Sequence, residues 1–300
     1  MLNKLFRRED QPAQTTGRVI VPLISDTHGG HSGALMNPET VLDLEDQEGN
    51  IYQYKPEPTE IQKYLWNVYM DGLDKIKALL DGDPMFAIHG GDNIEGDKHP
   101  SELVRPERHA QIQIATYNMV PLCQMYNLRY LRMVKGTGAH EFGFSSATLE
   151  IMRMLKAMYS DIDIKAIMLG LLTINGVEID YTHHGASAGR RKWLEGNEAR
   201  YYLRDRMMRD IHARGRPADI YIRGHYHTPL IEYLRVDGFW SILLLMPSMK
   251  IGGEWTVMAT RSLPYIKNGL AALEIEGGKI RDIHEYYQTV DMRTKEEIVV

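Results

Sequence analysis

The chain has 300 residues, 43% hydrophobic and 25% charged, with a formal net charge of −5. It is long enough to bury a substantial α/β core and is no polycation built to coat nucleic acid, so any such contact must be local. Its single cysteine, Cys123, excludes an internal disulfide, fits a reducing, cytoplasmic setting, and is expected to be a small buried residue. No eighteen apolar residues run together, the richest stretch being Trp240 to Pro247, so no membrane contact is expected.

Residues 1–17 carry Lys4, Arg7 and Arg8 but no apolar core of signal-peptide length, and are expected to form a flexible tail. Arg18 to Ile24 is a short apolar run before Gly29 and Gly30, the pattern of a buried strand emptying into a loop. On a backbone that stays extended, Asp26 and His28, two apart, point to the same side and can grip one metal ion. Residues 30–58 form a polar insertion in which Thr40 to Tyr54 reads as a ribbon turned at Gly49-Asn50. It either walls one side of a site or is a surface loop. Thr59 then caps a helix through Leu80, with Ile61, Leu65, Val68, Leu73, Ile76 and Leu79 on its apolar face.

Pro84 to Ile88 is a second buried strand, and it empties into His89-Gly90-Gly91-Asp92-Asn93. A helix is expected over about Pro106 to Tyr126, a strand over Leu128 to Val134 ending in Gly136-Thr137-Gly138-Ala139-His140-Glu141, and a helix from Ser145 or Ser146 to Met158. This alternation argues for right-handed crossovers and a largely parallel central sheet. Asn175-Gly176 then turns a hairpin between Leu171–Ile174 and Val177–Tyr181, which runs into Thr182-His183-His184-Gly185. A charged helix is expected from about Arg191 to Arg214, followed by the strand Ile220 to Ile222 and Arg223-Gly224-His225-Tyr226-His227. Hairpins at Asp237-Gly238 and Gly277-Gly278 are expected to complete a second sheet.

Five strand ends thus carry metal-competent side chains: Asp26 with His28, Asp92, His140, His183 or His184, and His225 with His227. That is where α/β folds place their chemistry. Oxygen and nitrogen donors without thiolate suit two divalent ions about 3.5–4 Å apart, the clamp used on phosphate esters. They favour Mn²⁺, with Fe, Zn²⁺ and Mg²⁺ as alternatives.

In the order Asp-x-His, Gly-Asp, Gly-x-His-Glu, His near Gly and Gly-His-x-His, from Val19 to His227, the chain resembles the calcineurin-like metallophosphoesterases. That family includes SbcD-type nucleases, cyclic-nucleotide phosphodiesterases and protein phosphatases. The resemblance implies an α/β fold, a four-layer αββα sandwich of two mixed sheets flanked by helices. It would span one domain over residues 18–290, with 291–300 a C-terminal tail. It implies that Asp26, His28, Asp92 and His227 hold a first ion, with Asp92 bridging, and that His183 and His225 hold a second. His184 is the alternative to His183, which the strand-end position favours. His140 would protonate the leaving group or steady the transition state. The family's Asn before that histidine is Ala139 here, so His140 itself, water, or nothing completes the second site. Gly136-Thr137-x-x-His140 and Gly30 to Pro38 are similar to phage- and prophage-encoded members.

Arg190 to Arg216 contains nine Lys or Arg against four acids, with Trp193, Tyr201 and Tyr202 interleaved. It is either a surface for DNA or RNA, with Arg190, Arg191, Lys192 and Asn93 as substrate contacts, or a solvated helix face with internal ion pairs around Asp205. Lys98, His99, Arg105, Arg108 and His109 are weighed the same way. The function expected is two-metal hydrolysis of phosphodiesters by a nuclease or nucleotide phosphodiesterase, possible as a homodimer. A phosphomonoesterase and a metal-free binding module are the alternatives.

Overall fold

The computed structural model describes residues 17–97, 100–143, 146–189, 191–252 and 264–297. Along these the chain runs β1 (Arg18–Ile24), β2 (Leu42–Glu45), β3 (Ile51–Tyr54), α1 (Glu60–Leu79), β4 (Met85–His89), α2 (Arg108–Gln124), β5 (Leu128–Val134) and α3 (Ser146–Met158). It continues through β6 (Asp163–Ile167), β7 (Leu169–Ile174), β8 (Val177–Thr182), α4 (Asn197–Arg214), β9 (Ile220–Arg223), β10 (Leu230–Val236), β11 (Phe239–Leu245), β12 (Tyr265–Glu276) and β13 (Lys279–Asp291). The fold is mixed α/β. No helix among the described residues is long and apolar enough to cross a membrane.

Two mixed sheets and one ribbon result. The first has the order β13-β12-β1-β4-β5-β6, parallel from β1 to β6 and antiparallel at β12 and β13. The second, β10-β11-β9-β8-β7, is parallel only across β11, β9 and β8. Alternation along β1 sorts its side chains: Ile20 and Ile24 join Leu65, Val68 and Leu73 of α1, whereas Val21 and Leu23 face Ile179 and Ile222 of the second sheet. On that sheet's far side Leu203 and Met207 of α4 cover Tyr221 and Leu243. Because β1, β4 and β5 run parallel and side by side, the loops at their carboxyl ends emerge together at one rim.

The capping expectation holds in detail. Thr59 Oγ1 accepts the Gln62 N–H at 3.1 Å, and Gln62 Oε1 accepts the Thr59 N–H at 3.0 Å. On the α1 stripe Leu65, Val68, Leu73 and Ile76 are buried, Leu79 is half-buried and Ile61 stays 38% exposed. Cys123 is buried. The ribbon β2–β3 lays Leu42 and Leu44 on Ala110 and Ile114 of α2.

Four expectations need correction. The helix placed from Arg191 begins at Asn197, because the chain turns left-handed at Gly196 and Lys192–Leu194 forms a separate short turn. The Gly277-Gly278 hairpin joins the first sheet, not the second: Leu270 to Leu273 of β12 are buried on both faces, which requires a position inside a covered sheet beside β1. Strand β6 went unseen, since only Ile164 of its five residues is fully buried; Arg132 holds it through Asp163 Oδ2 at 2.8 Å. The last strand reaches Asp291, one residue into the expected tail. Residues 1–16 of the expected N-terminal tail, residues 298–300 and Ser145 lie outside the described residues.

Candidate metal centre

The loops after β1 and β4 prolong their strands' pairing. The Asp26 N–H donates to the Gly91 carbonyl at 3.0 Å, the His28 N–H to Asp92 at 3.0 Å, and the Gly29 N–H to Asn93 at 2.8 Å. Neither loop is extended, however. Asp26 (φ 53°), His28 (φ 44°), Asp92 (φ 46°), His225 (φ 75°) and His227 (φ 56°) are all left-handed, which overturns the extended-backbone explanation for Asp26 and His28. Each such residue costs on the order of 1–3 kcal/mol, and that cost concentrates at functional sites. These five left-handed residues are all donors of the clusters at the rim.

Among the described residues three donor groups form: His28 with Glu95 and His140, and two that gather the other expected ligands. In one, His227 Nε2 lies 3.2 Å from Asp26 Oδ1 and 3.2 Å from His28 Nε2. In the other, Asp92 Oδ2 lies 3.0 Å from His183 Nε2, with His225 alongside. Donor atoms about 2.1 Å from one ion and roughly at right angles stand about 3.0 Å apart, so both groups have the spacing of co-ligands. Asp92 falls in the second group. Its charge also acts on His28 and Asp26, which puts it within electrostatic reach of the first.

His183 and His184 are now distinguishable. The His183 Nδ1–H donates to the Gly90 carbonyl at 2.9 Å, which fixes the ring and leaves Nε2 facing Asp92. That approach needs Gly91, whose φ is +113° and where a Cβ would lie 2.4 Å from His183 Nδ1. His184 stands outside, its ring edge-on to His183 and His225 at 5.0 and 4.6 Å.

Two buried imidazole nitrogens in this cluster make no aligned hydrogen bond, His183 Nε2 and His28 Nδ1. Asp92 Oδ2 at 3.0 Å and Glu95 Oε2 at 2.9 Å are close enough, but lie off the ring N–H axes. A buried polar atom left so is costly unless a third body completes it, which applies to His183 Nε2, facing Asp92; His28 Nδ1 is on the ring side toward Glu95, opposite the Nε2 that meets His227. The nitrogen and oxygen donor set fits a divalent cation.

Electrostatics divide the cluster. Burial opposes ionisation of Asp26, yet the imidazoles of His227, His183 and His28 outweigh it and hold the carboxyl far below its usual range. Burial likewise works against Asp92, and His183 overrides it. Burial, then Lys250 and His140, keep His28 neutral, the form a metal ligand needs. Burial disfavours charge on His183 as well, but the Asp92 and Asp26 carboxylates raise it to about 9, so near neutral pH this ring holds a proton that a bound ion would have to displace.

Sequence reasoning missed Glu95 and Lys250. Glu95 is fully buried and takes the Lys250 ammonium at 2.7 and 2.9 Å. Its carboxylate faces His28, and its carbonyl accepts the His140 Nδ1–H, so one residue touches two candidate site histidines. A carboxylate three residues past Asp92 was the available signal. His140 keeps Nε2 for the cluster, 3.8 Å from Asp92 Oδ2. Glu141 turns inward, accepting the N–H groups of Gly136 at 2.9 Å and Thr148 at 3.0 Å.

The expected substrate contacts fare differently. Asn93 is buried and donates to Thr148 Oγ1 at 3.0 Å, a structural tie in place of the substrate contact expected. Arg191 lies over Trp193, and Lys192 pairs with Glu195. Arg105 pairs with Glu107, and Arg108 with Glu150. Arg190, Lys98 and His99 lie outside the described residues. Within the charged helix Asp205 pairs with Arg209 at 2.7 Å and Asp210 with Arg214 at 3.5 Å, while Arg200 reaches Glu232 at 3.1 Å.

No protein-family model and no curated protein matches the chain. Among solved structures, it is similar to a Thermotoga maritima protein determined by NMR, at 14% identity over 58% of this chain and 87% of that one, with a TM-score of 0.29. It is also similar to the sulfate thiohydrolase SoxB of Thermus thermophilus in complex with glycerol, at 11% identity and a TM-score of 0.38. That match covers 95% of this chain, which spans only 58% of SoxB.

Proposed function

We propose that this protein is a metal-dependent phosphoesterase that hydrolyses phosphodiesters, as a nuclease or nucleotide phosphodiesterase. Asp26, His28 and His227 would hold one divalent ion, His183 and His225 a second, with Asp92 between them. The observation that carries this is the pair of adjoining, largely buried donor groups, built on left-handed backbone and leaving His183 Nε2 without an aligned partner. The motif order that resembles the calcineurin-like metallophosphoesterases supports the same reading. So does the layering of α1 to α3, two mixed sheets and α4, which fits the four-layer sandwich that the resemblance implies.

Divalent ions bound there would offset phosphoryl charge and lower the pKa of a water, and Mn²⁺ is the first choice for this donor set. The chain's own groups do the rest. The Gly90 carbonyl and Glu95 orient His183 and His28, while the His140 Nδ1 bond to the Glu95 carbonyl leaves Nε2 to protonate a departing alkoxide.

The test compares bis-p-nitrophenyl phosphate with p-nitrophenyl phosphate in Mn²⁺, using Asp92→Asn as the blank. Faster hydrolysis of the diester is expected. Preference for the monoester would replace the reading by a phosphomonoesterase, and silence on both without bound Mn²⁺ by a binding module.

A further inference from the structure

The group Asp92, His183 and His225 offers three side chains, and Ala139, where the resemblance puts an Asn, has no donor to add. We infer that the Thr137 hydroxyl is the additional oxygen ligand of this group. The inference rests on the reading that the group holds a divalent ion.

Thr137 Oγ1 lies 3.4 Å from Asp92 Oδ2 and 3.4 Å from His225 Nδ1. Those are long for hydrogen bonds between such groups, whose usual hydroxyl length is about 2.7–2.8 Å. They match the separation of atoms sharing one ion, about 3.0–3.5 Å for ligands near 2.1 Å. The hydroxyl therefore stands beside two donors of the group without bonding well to either.

Its placement is forced from the backbone. The Thr137 N–H donates to Asp92 Oδ1 at 2.7 Å, and a Cβ on Gly136 would come within 2.1 Å of the same oxygen. The turn is thus pressed flat against the Asp92 carboxylate, and only glycine allows it. Thr137 also occupies the N-cap position of the turn Gly138–His140, with φ −62° and ψ 140°. A threonine hydroxyl there ordinarily accepts a backbone N–H. Here it makes no such bond and faces the metal-competent group instead.

A neutral hydroxyl is a hard donor that adds no charge. It suits Mn²⁺ or Mg²⁺ better than Zn²⁺, so this one residue would bias which ion the second position takes.

The experiment is calorimetric Mn²⁺ titration of the full chain, wild type beside Thr137→Val, Thr137→Ser, Thr137→Cys and Asp92→Asn, with thermal melts as a folding control. Valine keeps the shape and removes the oxygen; it should weaken one of two binding steps about tenfold or more, as loss of a metal-site contact does. Serine should stay within about threefold of wild type. Cysteine should turn the weakened step toward Cd²⁺ over Mn²⁺, a change of preference that a purely structural threonine would not produce and that stands even if valine fails to fold. Unchanged Mn²⁺ affinity in Thr137→Val together with no Cd²⁺ preference in Thr137→Cys would overturn the inference while leaving the phosphoesterase reading intact, provided Asp92→Asn loses Mn²⁺. Wild-type protein that binds no Mn²⁺, or binds it as Asp92→Asn does, would overturn both.

Discussion

Around Asp26 and Asp92, carboxylates and imidazoles are buried on strained backbone, and two ring nitrogens lack an aligned partner. Between Arg191 and Arg216 charge is exposed, and cation after cation reaches an acid: Arg200 meets Glu232, Arg206 meets Asp180, Arg214 meets Glu178 and Asp210, and Arg216 meets Asp219. Several of those acids come from β8, β10 and the approach to β9, so the positive excess counted along the segment is offset from outside it. The first region gathers donors at the spacing of co-ligands, at a cost in backbone strain. In the second most cations already meet an acid, and surface pairs of this kind contribute little. A charge count along a sequence is therefore a weaker guide to a ligand than carboxylates and imidazoles gathered in a buried cluster.

The hardest attempt to break this contrast is Asp92→Asn, which should cut Mn²⁺-dependent diester hydrolysis by on the order of 10³-fold or more and remove bound Mn²⁺. Hydrolysis at the wild-type rate would empty the cluster of its meaning. Next comes His140→Asn, expected to slow turnover by about 10²–10⁴-fold while Mn²⁺ affinity holds. Loss of the ion in that variant would make His140 a ligand instead of a proton donor. Glu95→Gln keeps the shape but removes the charge that faces His28 and Lys250, and Mn²⁺ should bind about 10–100-fold more weakly by calorimetry.

A fourth test separates scaffold from site by pH. Burial lowers His89 to about 4, and the ring donates from Nε2 to Thr27 Oγ1 at 3.0 Å while Nδ1 accepts the Gly91 N–H at 3.3 Å. With the folded pKa below the unfolded value near 6.5, the unfolded chain binds the extra proton. Stability is complete above about pH 6.5 and falls as pH drops toward 4, by about 3 kcal/mol from this group. Urea midpoints of ion-free protein should show that slope, and His89→Gln should flatten it. The smallest effect is expected for Arg209→Ala, whose partner is Asp205: hydrolysis of a single-stranded polynucleotide should stay within about twofold. A tenfold loss would return the basic helix to the substrate surface.

By itself the sequence determined the strands Arg18–Ile24 and Leu128–Val134, the Thr59 cap and the Asn175-Gly176 hairpin, because local pattern and turn chemistry are written within a few residues. It also marked Asp26, His28, Asp92, His183, His225 and His227 as residues that strand ends would bring to one rim. Tertiary structure alone decided that β12 inserts beside β1, since that depends on which strand is covered on both faces. It seats His183, which the strand-end position already favoured over His184, against the Gly90 carbonyl, and it alone brought Glu95 and Lys250 under the cluster from 155 residues apart. Left-handed angles and the lateral pairing of loops set where a donor atom points, and residue spacing encodes neither.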